Sequence, residues 1–96
     1  DMHVEIEAAR LLVQKAAWFL DQGKGPKEAG ANIAAAKLHA CELANKVALN
    51  AVRILGACGT TPEYHVIRRL RDAMELLVAA GSQEIMKVVI GGTITR

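Results

Sequence analysis

The side chains able to do chemistry in this chain stand apart from one another. His3, His39 and His65 fall in three separate stretches at no metal-ligand spacing. No Ser/His/Asp or Cys/His set accompanies them. Cys41 and Cys58 lack the Cys-x-x-Cys arrangement, and two such cysteines fit free thiols in a reducing compartment better than a disulfide scaffold. No pair of carboxylates is fixed beside an apolar pocket, and no metal site is expected. Gly23-Lys24-Gly25 resembles the first step of a dinucleotide fingerprint, but the third glycine and the preceding strand are missing, which rejects it. Arg68-Arg69-Leu70-Arg71 gathers positive charge without interleaved aromatics. It is either a solvated, salt-bridged helix face or a contact for phosphate or an acidic partner. The most informative loop is Gly56 to Tyr64, with two glycines, Thr60-Thr61 and Pro62. Glycines placed there either cap and bend a helix, or let a ligand or another chain approach the backbone.

These residues must be positioned by helices. Ala29 to Leu55 is the longest periodic stretch: Ile33, Leu38, Cys41, Ala44, Ala48, Val52 and Leu55 recur mostly at steps of three or four, which places them on one side of a helix. Lys37, Glu42, Lys46 and Asn50 lie on the other side. Its many alanines favour helix and leave a thin surface on which neighbours can pack closely. Before it, a helix over about 2–22 carries an apolar stripe of Ile6, Ala9, Val13, Ala16, Ala17 and Leu20, widened by Leu12 and Phe19. Asp1 is its expected cap. Gly23 to Pro26 reads as a turn into the spine, expected over about 28–55. A third helix is expected over about 64–79, with Val66, Leu70, Ala73, Met74, Leu77 and Val78 on one face. Ser82 then caps a fourth, over about 82–91, which Gly91-Gly92 should end. Val88-Val89-Ile90 is β-branched and strand-like, but the chain offers it no partner strand. The expected fold class is therefore all-α, an up-and-down helical bundle, in one domain spanning residues 1–96.

Composition agrees. Hydrophobic residues make up 52% of the chain and aromatics only 3%, so the core is aliphatic and alanine-based. A chain of this size buries only about 60–65% of its unfolded surface, and a partner surface would help it. The formal net charge of +2 gives no strong pull toward nucleic acid or an anionic membrane. No signal peptide and no apolar run of about 18 residues is read, so no membrane span is expected. The chain opens at Asp1 and reads as processed, or as part of something longer.

The order of the motifs is more specific than any one of them. Glu7-Ala8-Ala9-Arg10-Leu11-Leu12, Lys15-Ala16-Ala17-Trp18 and Asp21-Gln22-Gly23 are followed by Ala36-Lys37-Leu38 and Ala51-Val52-Arg53-Ile54-Leu55-Gly56. Glu63-Tyr64, Arg68-Arg69-Leu70-Arg71-Asp72-Ala73 and Gly81-Ser82-Gln83-Glu84-Ile85 close the series. Over essentially its whole length the chain resembles the carboxyl-terminal helical domain of acyl-CoA dehydrogenases. The resemblance implies a four-helix bundle entered at its second helix, within an FAD-dependent oxidoreductase that carries out α,β-dehydrogenation of an acyl-CoA thioester. It also implies a homo-oligomer, a dimer or tetramer, acting in the cytoplasm or, in a eukaryote, the mitochondrial matrix.

In that family a glutamate of Tyr-Glu-Gly-Thr removes the α-proton as the β-hydride passes to the flavin. A carboxylate suits the task, because it is anionic at neutral pH and tunable by an apolar pocket. Here the matching residues are Ala79-Ala80-Gly81-Ser82, so Ala80 occupies the base position, and no catalytic residue is assigned. No carboxylate lies between Glu75 and Glu84 to replace it. A minority of the family carries the base on the bundle's first helix instead. The family's Gln-Ile-x-Gly-Gly stretch touches the FAD of a neighbouring subunit; its counterparts here are Arg53, Gly56 and Ala57. Arg53 can meet a pyrophosphate bidentately, whereas Ala57 adds a methyl where the backbone approach is close. Ser82 keeps the hydroxyl of the family's threonine, and Glu84 falls where Glu or Gln is frequent and suits a helix amino terminus. The expected cofactor-binding residues are therefore Arg53, Gly56, Ala57, Ser82 and Glu84. Taken alone, this chain is expected to be inactive, to hold no flavin, and to self-associate through an exposed apolar face. The alternatives are a non-catalytic structural or oligomerisation module of a degenerate member, and a flavin-dependent monooxygenase relative.

Overall fold

Everything in the molecule is arranged on one long helix. The computed structural model describes residues 1–23, 25–79 and 81–95. Helix α1 (Met2–Asp21) leads through a short turn into α2 (Pro26–Leu55). Two short 3-10 turns, Gly56–Thr60 and Pro62–Tyr64, connect α2 to α3 (Val66–Glu75), and α4 (Gln83–Ile94) follows. Pro26 stands in the first turn of α2, where a missing N–H costs nothing. At ~1.5 Å per residue α2 is about 45 Å long, nearly the full 48 Å extent of the molecule.

Helices α1, α3 and α4 each pack on α2, and among the described residues none of the three packs on another. Polar ties show the directions. The Lys46 ammonium pairs with the Glu5 carboxylate at 2.6 Å, so α1 runs antiparallel to α2. Asn45 Nδ2 donates to the Ala73 carbonyl at 2.7 Å, and Lys37 Nζ to that of Leu76 at 3.0 Å, so α3 also runs antiparallel to it. This is the expected all-α, up-and-down arrangement.

The core is built almost wholly of alanine: Ala9, Ala16, Ala29, Ala34, Ala36 and Ala73 are buried, with Leu43 the one larger apolar residue among them. Alanine seams let helices approach closely but remove little apolar area each. The radius of gyration, 15.6 Å, exceeds the ~12.5 Å of a compact chain this long. Large apolar side chains accordingly stay exposed, among them Val4, Leu11, Ile54, Val88 and Ile94.

The structure corrects the sequence reading in several places. On α1 the buried residues are Ala9 and Ala16, flanked by half-buried Leu12 and Phe19, while Ile6, Val13 and Leu20 are exposed. The packed seam is narrower than the apolar stripe because, among the described residues, α2 is the only helix that packs on α1. Ile33 and Leu55 of the spine are exposed as well. Asp1 stands at the head of α1 without a side-chain capping bond. Helix α3 starts later than expected, because His65 takes a left-handed conformation (φ 59°) after Pro62–Tyr64. It also ends earlier: Leu76, Leu77 and Val78 bond three residues back in tighter turns. Helix α4 runs on through Gly91 and Gly92 to Ile94. Glycine costs a helix about 1 kcal/mol but keeps its N–H, and the Thr95 amide and hydroxyl both donate to the Gly91 carbonyl.

Candidate functional site

The residues singled out by sequence fall in two groups, one at the carboxyl end of α2 and one beside its middle. The first is at its carboxyl end. Gly56 caps the helix with φ 67° and ψ −143°, its amide donating to the Arg53 carbonyl. The next residues coil into a 3-10 turn that Thr60 and Thr61 close, their hydroxyls donating to the carbonyls of Ala57 (2.7 Å) and Cys58 (2.8 Å). Gly59 is buried, and a Cβ there would lie 2.6 Å from the Val52 carbonyl oxygen. This glycine is therefore required by packing of the turn on its own helix. Gly56 and Ala57 are exposed. Arg53 is exposed too, and its guanidinium makes no ion pair or side-chain hydrogen bond among the described residues. It borders a cavity of about 610 Å³ lined also by Asp1, Met2, Asn50 and Ile54.

The second group lies where α3 passes to α4. Ser82 Oγ accepts from the Ile85 amide at 3.3 Å, the capping role expected of it, and its O–H remains able to donate. Glu84 is exposed in the first turn of α4. Ala80, at the expected base position, lies outside the described residues. Lys37, on α2, reaches this turn. Taking Lys37 to mark it, the two groups lie roughly 24 Å apart along the spine helix. One copy of the chain thus presents two separate surfaces.

Sequence reasoning missed the polar centre of the second group. Gln83 is the one buried polar residue among those described, at 3% exposure. Its Nε2 donates to the Leu38 carbonyl (2.8 Å) and to Glu42 Oε1 (3.2 Å), while its Oε1 accepts from Lys37 Nζ at 2.7 Å. One signal was present: Ile33, Ala34, Ala40 and Cys41, three and four residues either side of Lys37, include no acid. A lysine without such a partner in an alanine-rich helix has to find its acceptors elsewhere. Between the two groups, α1, α2 and α3 border an apolar groove of about 630 Å³, floored by Ala40, Ala44, Val47, Ala48 and Ala51. It contains none of the expected site residues. Among the described residues no cluster of His, Cys, Asp and Glu could hold a metal ion. No helix there is long and apolar enough to cross a membrane.

Comparison with known proteins supplies the family. Residues 1–95 match the model of the acyl-CoA dehydrogenase C-terminal domain. A short-chain-specific acyl-CoA dehydrogenase of Clostridium acetobutylicum is 45% identical over 96 residues, covering 100% of this chain and 24% of the relative. A glutaryl-CoA dehydrogenase of Desulfococcus multivorans is 46% identical over 89 residues, which is 93% of this chain and 22% of that protein. In three dimensions, butyryl-CoA dehydrogenase from Megasphaera elsdenii matches with a TM-score of 0.94 at 40% identity, over 100% of this chain and 24% of that one. An FAD complex of PigA matches at 0.90 with 28% identity, over 97% of this chain and 24% of its own. The chain spans about a quarter of the length of these relatives. In sequence and in fold it belongs to the acyl-CoA dehydrogenase family, to that family's C-terminal helical domain.

Proposed function

We propose that the chain serves as the C-terminal helical domain of an FAD-dependent oxidoreductase acting on acyl-CoA thioesters. The observation that carries this reading is the match along the whole chain, at 40% identity and TM-score 0.94, to a butyryl-CoA dehydrogenase. Two features of the site fit the flavin. Arg53 offers an exposed guanidinium with no partner among the described residues, beside an open cavity, and a guanidinium pairs bidentately with phosphate oxygens. Ser82, at the α3–α4 turn, keeps an O–H with no acceptor among the described residues. FAD, when bound, would supply the two-electron acceptor for α,β-dehydrogenation. Arg53, with the exposed backbone of Gly56 and Ala57, would hold the pyrophosphate end of one cofactor. Ser82, with Glu84 in the turn that follows, would face the flavin end of another. The separation of roughly 24 Å along α2 favours service to cofactors of two subunits, hence a homo-oligomer. An aqueous reducing compartment, the cytoplasm or a mitochondrial matrix, suits two free cysteines.

Ala80 favours a second reading, a non-catalytic module or a flavin enzyme of another reaction, since a methyl group cannot accept a proton. The test uses the full-length protein that carries this domain, as the natural sequence and as Ala80→Glu. The expected result is a yellow oligomer by sedimentation, with bound FAD that acyl-CoA bleaches, and turnover that rises in Ala80→Glu. Absence of bound FAD refutes the flavoprotein reading. Bound FAD that no acyl-CoA bleaches in either protein refutes the dehydrogenase.

A further inference from the structure

Lys37 was read as one of several polar residues on the far side of the spine, yet it is half-buried and reaches across to two other elements. Its ammonium gathers three acceptors: the Leu76 carbonyl at the end of α3 (3.0 Å), the Gly81 carbonyl in the turn (2.7 Å), and Gln83 Oε1 at the start of α4 (2.7 Å). An ammonium has three protons and no acceptor, so this set uses its whole donor capacity. The same ammonium grips the turn on both sides of residue 80. Gln83 completes the clamp. With its Oε1 held by Lys37, its Nε2 is aimed at the Leu38 carbonyl and the Glu42 carboxylate, which ties the head of α4 to α2. Within the turn, the amides of Leu76, Leu77, Val78 and Ala79 bond back into α3, that of Gln83 donates to the Leu77 carbonyl at 3.1 Å, and Gly81 takes φ +99°, a conformation that other residues rarely adopt. To these local bonds Lys37 adds a tie from α2, on the carbonyls of Leu76 and Gly81.

We infer that Lys37, through Gln83, is the positioning residue of the α3–α4 turn, and sets where that turn presents Ser82 to the flavin. The inference rests on the flavoprotein reading above. It adds a residue that touches neither flavin nor acyl chain and acts through the carbonyls of Leu76 and Gly81.

The test compares Lys37→Met, Lys37→Arg and Gln83→Leu in the full-length protein. Lys46→Met serves as control, since it removes the same charge from the same helix but breaks only the pair with Glu5. Hydrogen exchange is read at the amides of Ala79, Gln83 and Met86, which bond Glu75, Leu77 and Ser82, and the visible circular dichroism of bound FAD is read alongside. Lys37→Met and Gln83→Leu each remove three hydrogen bonds and should speed exchange at these amides by at least about tenfold, the worth of one bond to a charged group. They should also alter the flavin dichroism at unchanged FAD content, and Lys37→Arg should restore part of both. Exchange in Lys37→Met equal to that in Lys46→Met overturns the clamp. Faster exchange with unaltered flavin dichroism overturns the positioning role and leaves a purely structural contact. A natural protein without FAD overturns the flavoprotein reading, and the positioning role with it; exchange still decides the clamp.

Discussion

Gly59→Ala separates two accounts of the glycine-rich turn. If Gly59 is glycine to let a cofactor approach, the methyl should weaken FAD binding and leave the cofactor-free fold alone. The structure points instead to packing. The new Cβ would lie 2.6 Å from the Val52 carbonyl oxygen, 3.0 Å from Val52 Cα and 3.2 Å from its carbonyl carbon, where ordinary contact begins at 3.4 Å. The shortfall is 3.4 − 2.6 = 0.8 Å against backbone atoms. Val52 sits in the last turn of α2, so it cannot yield as a flexible side chain would. Either that turn unwinds or Gly56–Thr60 lifts away. Overpacking of this kind costs about 1–3 kcal/mol. For a domain of this size each kcal/mol moves the melting temperature by about 4–8 °C, so a cost near 2 kcal/mol lowers Tm by roughly 8–16 °C. The assay is thermal and urea unfolding followed by far-ultraviolet circular dichroism, without FAD. Ala57→Gly is the control, since Ala57 is exposed; its effect should stay below about 1 kcal/mol. A Gly59→Ala protein that melts within 2 °C of the natural sequence, by the same ~4–8 °C scale, would refute the packing account.

Two other substitutions test the helices. Asn45→Leu removes the 2.7 Å bond to the Ala73 carbonyl, which ties α3 to the spine; urea unfolding should show a loss of about 1 kcal/mol. Gly91→Ala places a methyl in open space within α4 and should stabilise by about 0.4–1 kcal/mol in the same assay, through a better helix former and a less free unfolded chain.

How much was legible differs between the spine and the site. The long helix could be read because periodicity, alanine content and the glycine after Leu55 agree with one another. Its carboxyl end was legible for a second reason: a capping glycine acts through its own backbone, so Gly56 shows its function locally. Ser82 likewise caps α4 from three residues away. Lys37 was not legible in this way. Its acceptors are main-chain carbonyls and an amide some 40 positions downstream, at |i−j| of 39, 44 and 46. Main-chain groups exist at every residue, so no spacing rule marks the ones that will be used. Gly59 was half legible. The sequence leaves open whether its glycines cap and bend a helix or admit a ligand or another chain to the backbone, and the actual partner, Val52 of the same helix, appears only once the turn folds back.

The amino-acid sequence by itself determined that this chain is helical, that Gly56 and Ser82 cap its helices, that its core is aliphatic, and which family its motifs resemble. Those properties depend on neighbours within a few residues, where helix propensity, capping and the 3.6-residue period act. Only the tertiary structure decided which apolar stripes are covered. Ile6, Val13 and Ile33 are as hydrophobic as the buried Leu43, yet α1 and α2 each leave part of their stripe open. It also decided that the expected cofactor residues divide between the carboxyl end of α2 and the α3–α4 turn beside its middle, and that Lys37 serves that turn. Contacts between distant segments form where three helices pack on a fourth, and their energies are not written in any local window of the chain.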